Sequence, residues 1–582
     1  MTAQPTVLLM AGPPRPAPAR NRGDAAAWAL AALLHLGICA AVAPTWVAFS
    51  GLLVHALWWR KINAAWCLPL LALPYLLSPT VESINGRLVL VMATTGLAVL
   101  AFAAAGNRKS NGGTNKIDPC LLVIHAAIIM GVLVGVNTLT RHLNLATASF
   151  DLGNLDNVVF NLTEGHGQAS PMERNNPAVS HFQVHFSPML ALLTPIYRLA
   201  PNAGTLLWIQ AALVPISTFL CMKMAGAILK NRAEGAAMGA IWLFYPLTQY
   251  PLFYDMHDLK LYPMWLFACG WALAEKHKVT PWIFALVAIG MKEDVPIVCA
   301  PAFVVLGLMT ERKKTGMALG LMSIAYFAAI KTFWITPNGE NWMGMYSHLN
   351  AGGMGSLAEV ALREPERILK QIWQERTLTS ALLTLAPLAF LPLRTVWGTV
   401  LLAVPLAIIW LPERDVFTTM GFHYNFLVAP MALLAALRAI QLATEENRKK
   451  LLVVALIAAG ACIPTVSILS PFQDFRGGFA MLRLPIKTNP ESREALKELK
   501  EWENELQWDK HTVLASSEPL AAHISSRHEA YTTRDWRGKV PATIPETAWP
   551  KYIVQFQGEP PIKGYQQTRG KRKTAVSEKA PN

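Results

Sequence analysis

Residues 148–167 read ASFDLGNLDNVVFNLTEGHG and follow directly on a long apolar run. The stretch carries Asp151, Asp156, Glu164 and His166. A carboxylate placed within hydrogen-bond reach of a hydroxyl can take its proton as that oxygen attacks, so an Asp here could act as a general base. Asp151 and Asp156 are five positions apart. On a helix that is about 140° of rotation, so they do not share a face. Asp151 also suits a helix N-cap, where Asp is favoured, with Gly153 allowing a tight backbone. Glu164 and His166 read as solvated loop.

Three more constellations could do chemistry. GMKEDV sets Lys292, Glu293 and Asp294 between two apolar runs. Charge near membrane depth is costly and points to function. Lys292 could hold an anionic phosphate as a point charge. Glu293 or Asp294 could pair with it or ligate a divalent cation, and the alternative is a tight solvated turn. FYDMHDLK supplies Asp255, His257 and Asp258. That His could be a metal ligand, a phosphate hydrogen-bond donor or a proton carrier, or simply a hydrogen bonder at a helix end. His423 and Tyr424, in GFHYN, could reach the same cavity. His181 and His185, four apart, suit a helical metal pair, but no third ligand is recognisable beside them. GxxxxGK[ST], GxGxxG and GxSxG patterns are absent from the sequence.

The elements that must position these residues are apolar. Of 582 residues, 53% are hydrophobic and 15% charged, with a mean hydropathy of +0.32. Soluble domains run at about a quarter charged. Apolar windows predict about 15 transmembrane helices. They fall at 24–43, 45–59, 63–79, 87–105, 119–138, 204–228, 233–250, 259–275, 280–291, 295–310, 316–335, 377–392, 395–411, 425–441 and 450–470. The net charge of +14 reads as loop charge that sets topology, not as nucleic-acid binding. Basic clusters at 15–22, 58–61, 107–116, 229–232, 275–278, 311–314 and 446–450 all fall on the cytoplasmic side if the N-terminus is inside. Residues 186–200 then do not cross, and form an interfacial or re-entrant helix broken by Pro188 and Pro195.

The expected organisation is a disordered cytoplasmic tail (1–23), N-terminal transmembrane helices (24–117) and a transmembrane core (118–470) with outer loops 139–203 and 337–376. A small α/β extracytoplasmic domain (471–562) and a disordered tail (563–582) follow. Helical spacing of Leu357, Val360, Ile368, Leu369, Ile372 and Trp373 predicts an amphipathic helix, lying on the membrane or packed on the soluble domain. Seven cysteines, none in a CxxC, read as small core residues with no disulfide framework and no zinc site.

The succession FDLGNLDN, HFSPMLALLTPIYRL, FYDMHD, GMKEDV, TLAPLAFLPL and GFHYNFLVAP resembles the bacterial and archaeal membrane-protein family catalogued as domain of unknown function 2079, over roughly residues 118–560. The helices before 118 look like an added extension. The family is grouped with the GT-C glycosyltransferase superfamily. That resemblance implies a GT-C-like fold in the inner (plasma) membrane and transfer of a sugar from a polyprenyl-phosphate carrier to a glycan, lipid or protein acceptor on the outer face. It also implies that an acidic residue of the first large outer loop, here Asp151 with Asp156 in reserve, is the catalytic or metal-binding group. Lys292, Glu293, Asp294, Asp255, His257, His423 and Tyr424 are the expected substrate-binding residues. The cofactor stays open, a divalent cation being one option. Rival readings are a transporter or flippase of a lipid-linked substrate and a non-catalytic assembly protein. A flippase predicts inverted repeats and charges at mid-membrane.

Overall fold

The computed structural model describes residues 118–335, 342–349, 354–465, 488–534 and 536–580. The tail expected at 1–23, the helices expected over 24–117 and the end of the run expected at 450–470 lie outside the described residues.

Helix α1 (Pro119–Leu143) starts where the Asp118 carboxylate accepts the Cys120 N–H at 3.0 Å, with proline in the first turn. After a loop and one π turn (Ser149–Gly153) comes α2 (Asn154–Glu164), ended by Gly165 in the left-handed region. Residues 188–197 form two short turns, Pro188–Leu193 and Thr194–Tyr197, with Leu192, Ile196 and Leu199 exposed. Helix α3 (Ala203–Leu229) is capped by Asn202, and α4 (Arg232–Phe244) by Asn231.

The run expected at 233–250 is not one helix. Tyr245 is extended, as a residue before proline prefers, and α5 (Pro246–Leu252) begins again after it. Next come α6 (Tyr262–Ala274), α7 (Thr280–Ile289), α8 (Val295–Met309) and α9 (Lys313–Ile330), which runs on as a π turn to Ile335.

Helices α10 (Met354–Arg363) and α11 (Pro365–Ile372) follow. Leu357, Ile368 and Ile372 pack against Leu349 and Leu411, whereas Leu362, Leu369 and Trp373 stay exposed. The run expected at 377–392 also breaks. Helix α12 (Glu375–Leu385) stops before Pro387, and Ala389 and Phe390 take positive φ. Helices α13 (Val396–Trp410), α14 (Asn425–Gln441) and α15 (Glu445–Thr465) complete the bundle.

By length and composition, three of the described helices can cross a membrane: α1, α3 and the stretch Lys313–Ile335. The other apolar helices have 10–17 residues, against about 20 for a full crossing. Several are sheathed in protein. Nearly every residue of α14 is buried, which is where short helices with interrupted backbones are tolerated. Two helical hairpins close on glycine pairs. A Cβ on Gly235 would lie 2.7 Å from the Gly226 Cα, and one on Gly316 would lie 2.6 Å from the Gly307 Cα. Small residues let these backbones touch.

The C-terminal unit pairs α16 (Pro490–Glu505) and α17 (Glu518–Ile524) with a five-stranded sheet. Its strands are β1 (Leu514–Ser516), β2 (Ala530–Thr532), β3 (Tyr552–Phe556), β4 (Tyr565–Gly570) and β5 (Thr574–Lys579), in the order β2-β1-β3-β5-β4. β1 is parallel to β2 and β3, and the β4–β5 hairpin is antiparallel. The tail expected to be disordered from 563 is therefore ordered. Glu498 of α16 accepts the Thr574 N–H and hydroxyl at 2.8 Å, and Lys571 pairs with Glu501 and Glu505. The Lys, Gln and Arg residues that suggest disorder are the charged outer face of an edge strand.

Candidate functional site

The polar residues gather at one end of the bundle, where α1 ends and α3, α6, α8 and α14 begin. Arg141, in the last turn of α1, binds Asp255 at 3.0 Å and the carbonyls of Phe253 and Ala146 at 3.3 and 2.9 Å. The other Asp255 oxygen accepts the Ala148 N–H at 2.8 Å. Lys260 donates to the Asp255 carbonyl at 2.6 Å and to Gln210 of α3 at 2.8 Å. Asp255 is thus spent on fastening the FYDMHD turn to the segment that carries Asp151. Arg141, Gln210 and Lys260 were not singled out from the sequence. Arg141 could have been noticed as a charge at the end of an apolar run.

Asp151 sits inside the π turn and caps nothing: the position before that turn is Ala148. Burial, then Asp255, pushes its carboxyl up to about 7 against the pull of Lys260 and Lys292. A carboxylate oxygen of Asp151 lies 4.0 Å from Nδ1 of His423. His423 stacks on His257 with ring centroids 3.3 Å apart and planes 9° from parallel. Burial holds both imidazoles below their usual value, His257 at about 4, so both are neutral near pH 7. Among the described residues, both ring nitrogens of His423 are buried without a hydrogen-bond partner.

His257 caps the 3₁₀ turn Asp258–Lys260. Its Nδ1 lies 2.6 Å from Asp258 Oδ1 and 3.2 Å from the Leu259 nitrogen. One nitrogen cannot serve both. Asp258 also accepts that same Leu259 N–H at 2.7 Å, so Nδ1 keeps its proton for Asp258 and Nε2 carries the lone pair. Ser187 donates to the second Asp258 oxygen at 2.5 Å. Burial alone would raise the Asp258 carboxyl, but His257 and Lys292 outweigh it and hold it well below the usual range.

Lys292 is 2% exposed in the turn between α7 and α8. Burial opposes its charge, yet Asp258, Glu293 and Asp294 hold its ammonium above the usual lysine value. Glu293 turns away, binding His185 at 2.8 Å and the Phe186 N–H at 2.9 Å. Burial pushes up the neighbouring Asp294, and Glu293 adds to the effect. Tyr424 packs against His423 and Phe417 with its ring tilted, the centroids 4.3 Å apart in each pair.

Asp156 does not join this centre. It is fully buried and accepts hydroxyls from Tyr197 (2.5 Å), Ser525 (2.6 Å) and Ser526 (2.7 Å). That makes it a latch between α2 and the C-terminal unit. His181 and His185 are split between different carboxylates, Glu173 and Glu293, so they do not act as a helical metal pair. Glu164 pairs with Lys510 at 2.5 Å, and His166 packs edge-on to His528 at 4.2 Å. The C-terminal unit contributes Glu518, which no local pattern marks: it accepts the N–H and hydroxyl of Ser149, at the start of the π turn.

Apolar helices around a buried charged centre at one end define a helical membrane protein. Residues 141–569 match the profile of the family described as predicted membrane protein (DUF2079), and the chain belongs to that family. No curated protein matches it.

Proposed function

We propose that this protein is an integral-membrane glycosyltransferase of GT-C-like architecture, with about fifteen crossings, in the inner (plasma) membrane. The donor is a polyprenyl-phosphate-linked sugar and the acceptor a glycan, lipid or protein hydroxyl. The reading is carried by one observation: Asp151, His257, His423 and Lys292 come from chain-distant segments to one buried centre at the ends of apolar helices. In the reaction, the acceptor oxygen attacks the anomeric carbon as Asp151 takes its proton. The bond from that carbon to the carrier phosphate breaks, and its electron pair leaves on the phosphate, which Lys292 holds. One displacement of this kind needs one base, not the two carboxylates of a glycosidase.

Charge supports a site on the outer face. Arg448 bonds the Leu229 carbonyl and Arg312 the Lys276 carbonyl, so the basic clusters near 230, 276, 312 and 448 gather at the end opposite the site. That is the cytoplasmic end by the positive-inside rule. On this reading the C-terminal unit, docked beside Asp151, lies outside, and four proposed crossings before residue 118 put the N-terminus inside.

The test uses the full chain in liposomes with a short-chain polyprenyl-phosphate sugar and a panel of acceptors, read by mass spectrometry. Wild type forms product. Asp151→Asn loses about 10²–10⁴-fold in rate, and Lys292→Ala loses most of the remaining donor affinity. Movement of the lipid-linked sugar across the bilayer without transfer would instead make the protein a flippase.

A further inference from the structure

Asp151, His257 and His423 offer one oxygen and two imidazole nitrogens that all lie within 4.8 Å of one another. Three residues from three separate segments come together, and because the His257 and His423 rings stack face to face, one imidazole has to turn for both nitrogens to reach a common ion. Two independent features say that the centre is built for a ligand. His423 is 5% exposed, and neither of its nitrogens has a hydrogen-bond partner among the described residues. A buried polar ring without a hydrogen bond is costly unless something else fills its lone pair. The second feature is the Asp258 contact with His257. A carboxylate on Nδ1 fixes the tautomer and turns Nε2 outward as a lone pair, the arrangement that metal-bound histidines use.

The surrounding charge agrees. The carboxylates of Asp151, Asp255, Asp258, Glu293 and Asp294 face the cations Arg141, Lys260 and Lys292. Carboxylates outnumber these lysines and the arginine around the centre, a surrounding that suits a bound cation.

We propose that Asp151, His257 and His423 bind one divalent transition-metal ion. Two nitrogens and one oxygen suit zinc, cobalt, iron or manganese, whereas magnesium and calcium prefer all-oxygen shells. Three protein ligands leave coordination positions open, as catalytic rather than structural sites do. An ion there acts on whatever oxygen enters the centre, by polarising a hydroxyl or clamping a phosphate. The site shares residues with the transferase reading but does not require it, because ion binding is measured without donor or acceptor.

The experiment uses the full chain in detergent, carrying no polyhistidine tag, stripped with chelator and titrated with cobalt(II) or zinc(II). Wild type should retain one ion per chain after desalting, read by elemental mass spectrometry, and give visible cobalt d–d absorption. His423→Ala, His257→Ala and Asp151→Asn should each lose the ion and the spectrum. Asp258→Asn keeps all three ligands and should bind about 10–100-fold more weakly. Metal-free elution profile and melting temperature, equal to wild type, verify that each variant is folded. His528→Ala, away from the centre, should bind as wild type does. The proposal is overturned if wild type takes up no more cobalt than the Asp151, His257, His423 triple variant, or if Asp258→Asn binds with unchanged affinity. Ion binding without sugar transfer would reject only the transferase reading, and transfer by an ion-free protein would reject only the metal site.

Discussion

Glu518, in the first turn of a C-terminal helix, accepts both the backbone N–H and the hydroxyl of Ser149, each at 2.9 Å to the same oxygen and 369 residues away in sequence. Arg534 of the same unit lies 4.2 Å over the Phe150 ring. The residues just before Asp151 are therefore held by a domain far along the chain. Glu518→Ala should loosen the π turn, and amide hydrogen exchange across 148–153 should speed up by at least about tenfold, the equivalent of about 1.4 kcal/mol. Glu518→Gln, which retains one acceptor oxygen, should fall between. Unchanged exchange in Glu518→Ala would remove the domain from site positioning.

The same interface should respond to acid. His142 and His523 stack 3.8 Å apart, and burial lowers the His523 pKa from 6.5 to about 4. A folded value below the unfolded one means that the folded state binds fewer protons between those limits. The stabilisation is complete above pH 6.5 and is lost as pH falls toward 4. The shift corresponds to roughly 3 kcal/mol at most. Melting temperature followed from pH 7.5 to 4.5 should fall less steeply in His523→Gln than in wild type, and parallel curves would refute the assignment.

Asp156 should act in the opposite sense. Burial raises its carboxyl from 3.8 to about 6, even with three hydroxyl donors pulling it down. Its contribution is full below pH 3.8 and is lost as pH rises through 6. Asp156→Ala strands three donors and should cost about 2–4 kcal/mol. Asp156→Asn should cost less, and its deficit relative to wild type should shrink above pH 6. Chemical unfolding of the two variants at pH 5 and 7.5 measures this, and equal deficits at both values would count against it.

The glycine hairpins give a packing test. At Gly316 an added Cβ would lie 2.6 Å from the Gly307 Cα, whereas nothing lies within 4 Å of one at Gly460. Gly316→Leu should force α8 and α9 apart and lower the detergent melting point by several degrees. Gly460→Ala, inside α15, should be neutral or raise stability by up to about 1 kcal/mol. If both variants melt as wild type does, close backbone contact does not hold the hairpin.

The helical, membrane-embedded character was legible in the sequence because burial in lipid demands runs of apolar residues, and composition records such runs directly. The main elements of the C-terminal unit were legible for the same kind of reason: ESREALKELKEWENEL has helical spacing and KYIVQFQG is a short apolar, β-branched run. The breaks at Tyr245–Pro246 and around Pro387 were written locally by proline, although hydropathy averaged over them. The β4–β5 hairpin was hidden, because its charged residues look like a solvated tail until Glu498, Glu501 and Glu505 are brought opposite them.

The residue types of the centre were also readable, since Asp, His and Lys at the ends of apolar runs are expensive there. Their division of labour was not. Asp151 and Asp156 are near-equivalent in sequence, yet one faces His423 and the other is tied to Tyr197, Ser525 and Ser526. Asp255 and Glu293 look as free as Asp151 but are committed to Arg141 and His185. Local sequence determined which groups sit at the ends of apolar runs, because hydropathy and propensity act over a few residues. Only the tertiary structure decided which carboxylate is spent on an ion pair and which is left beside two neutral imidazoles, because a buried charge is defined by partners hundreds of positions away.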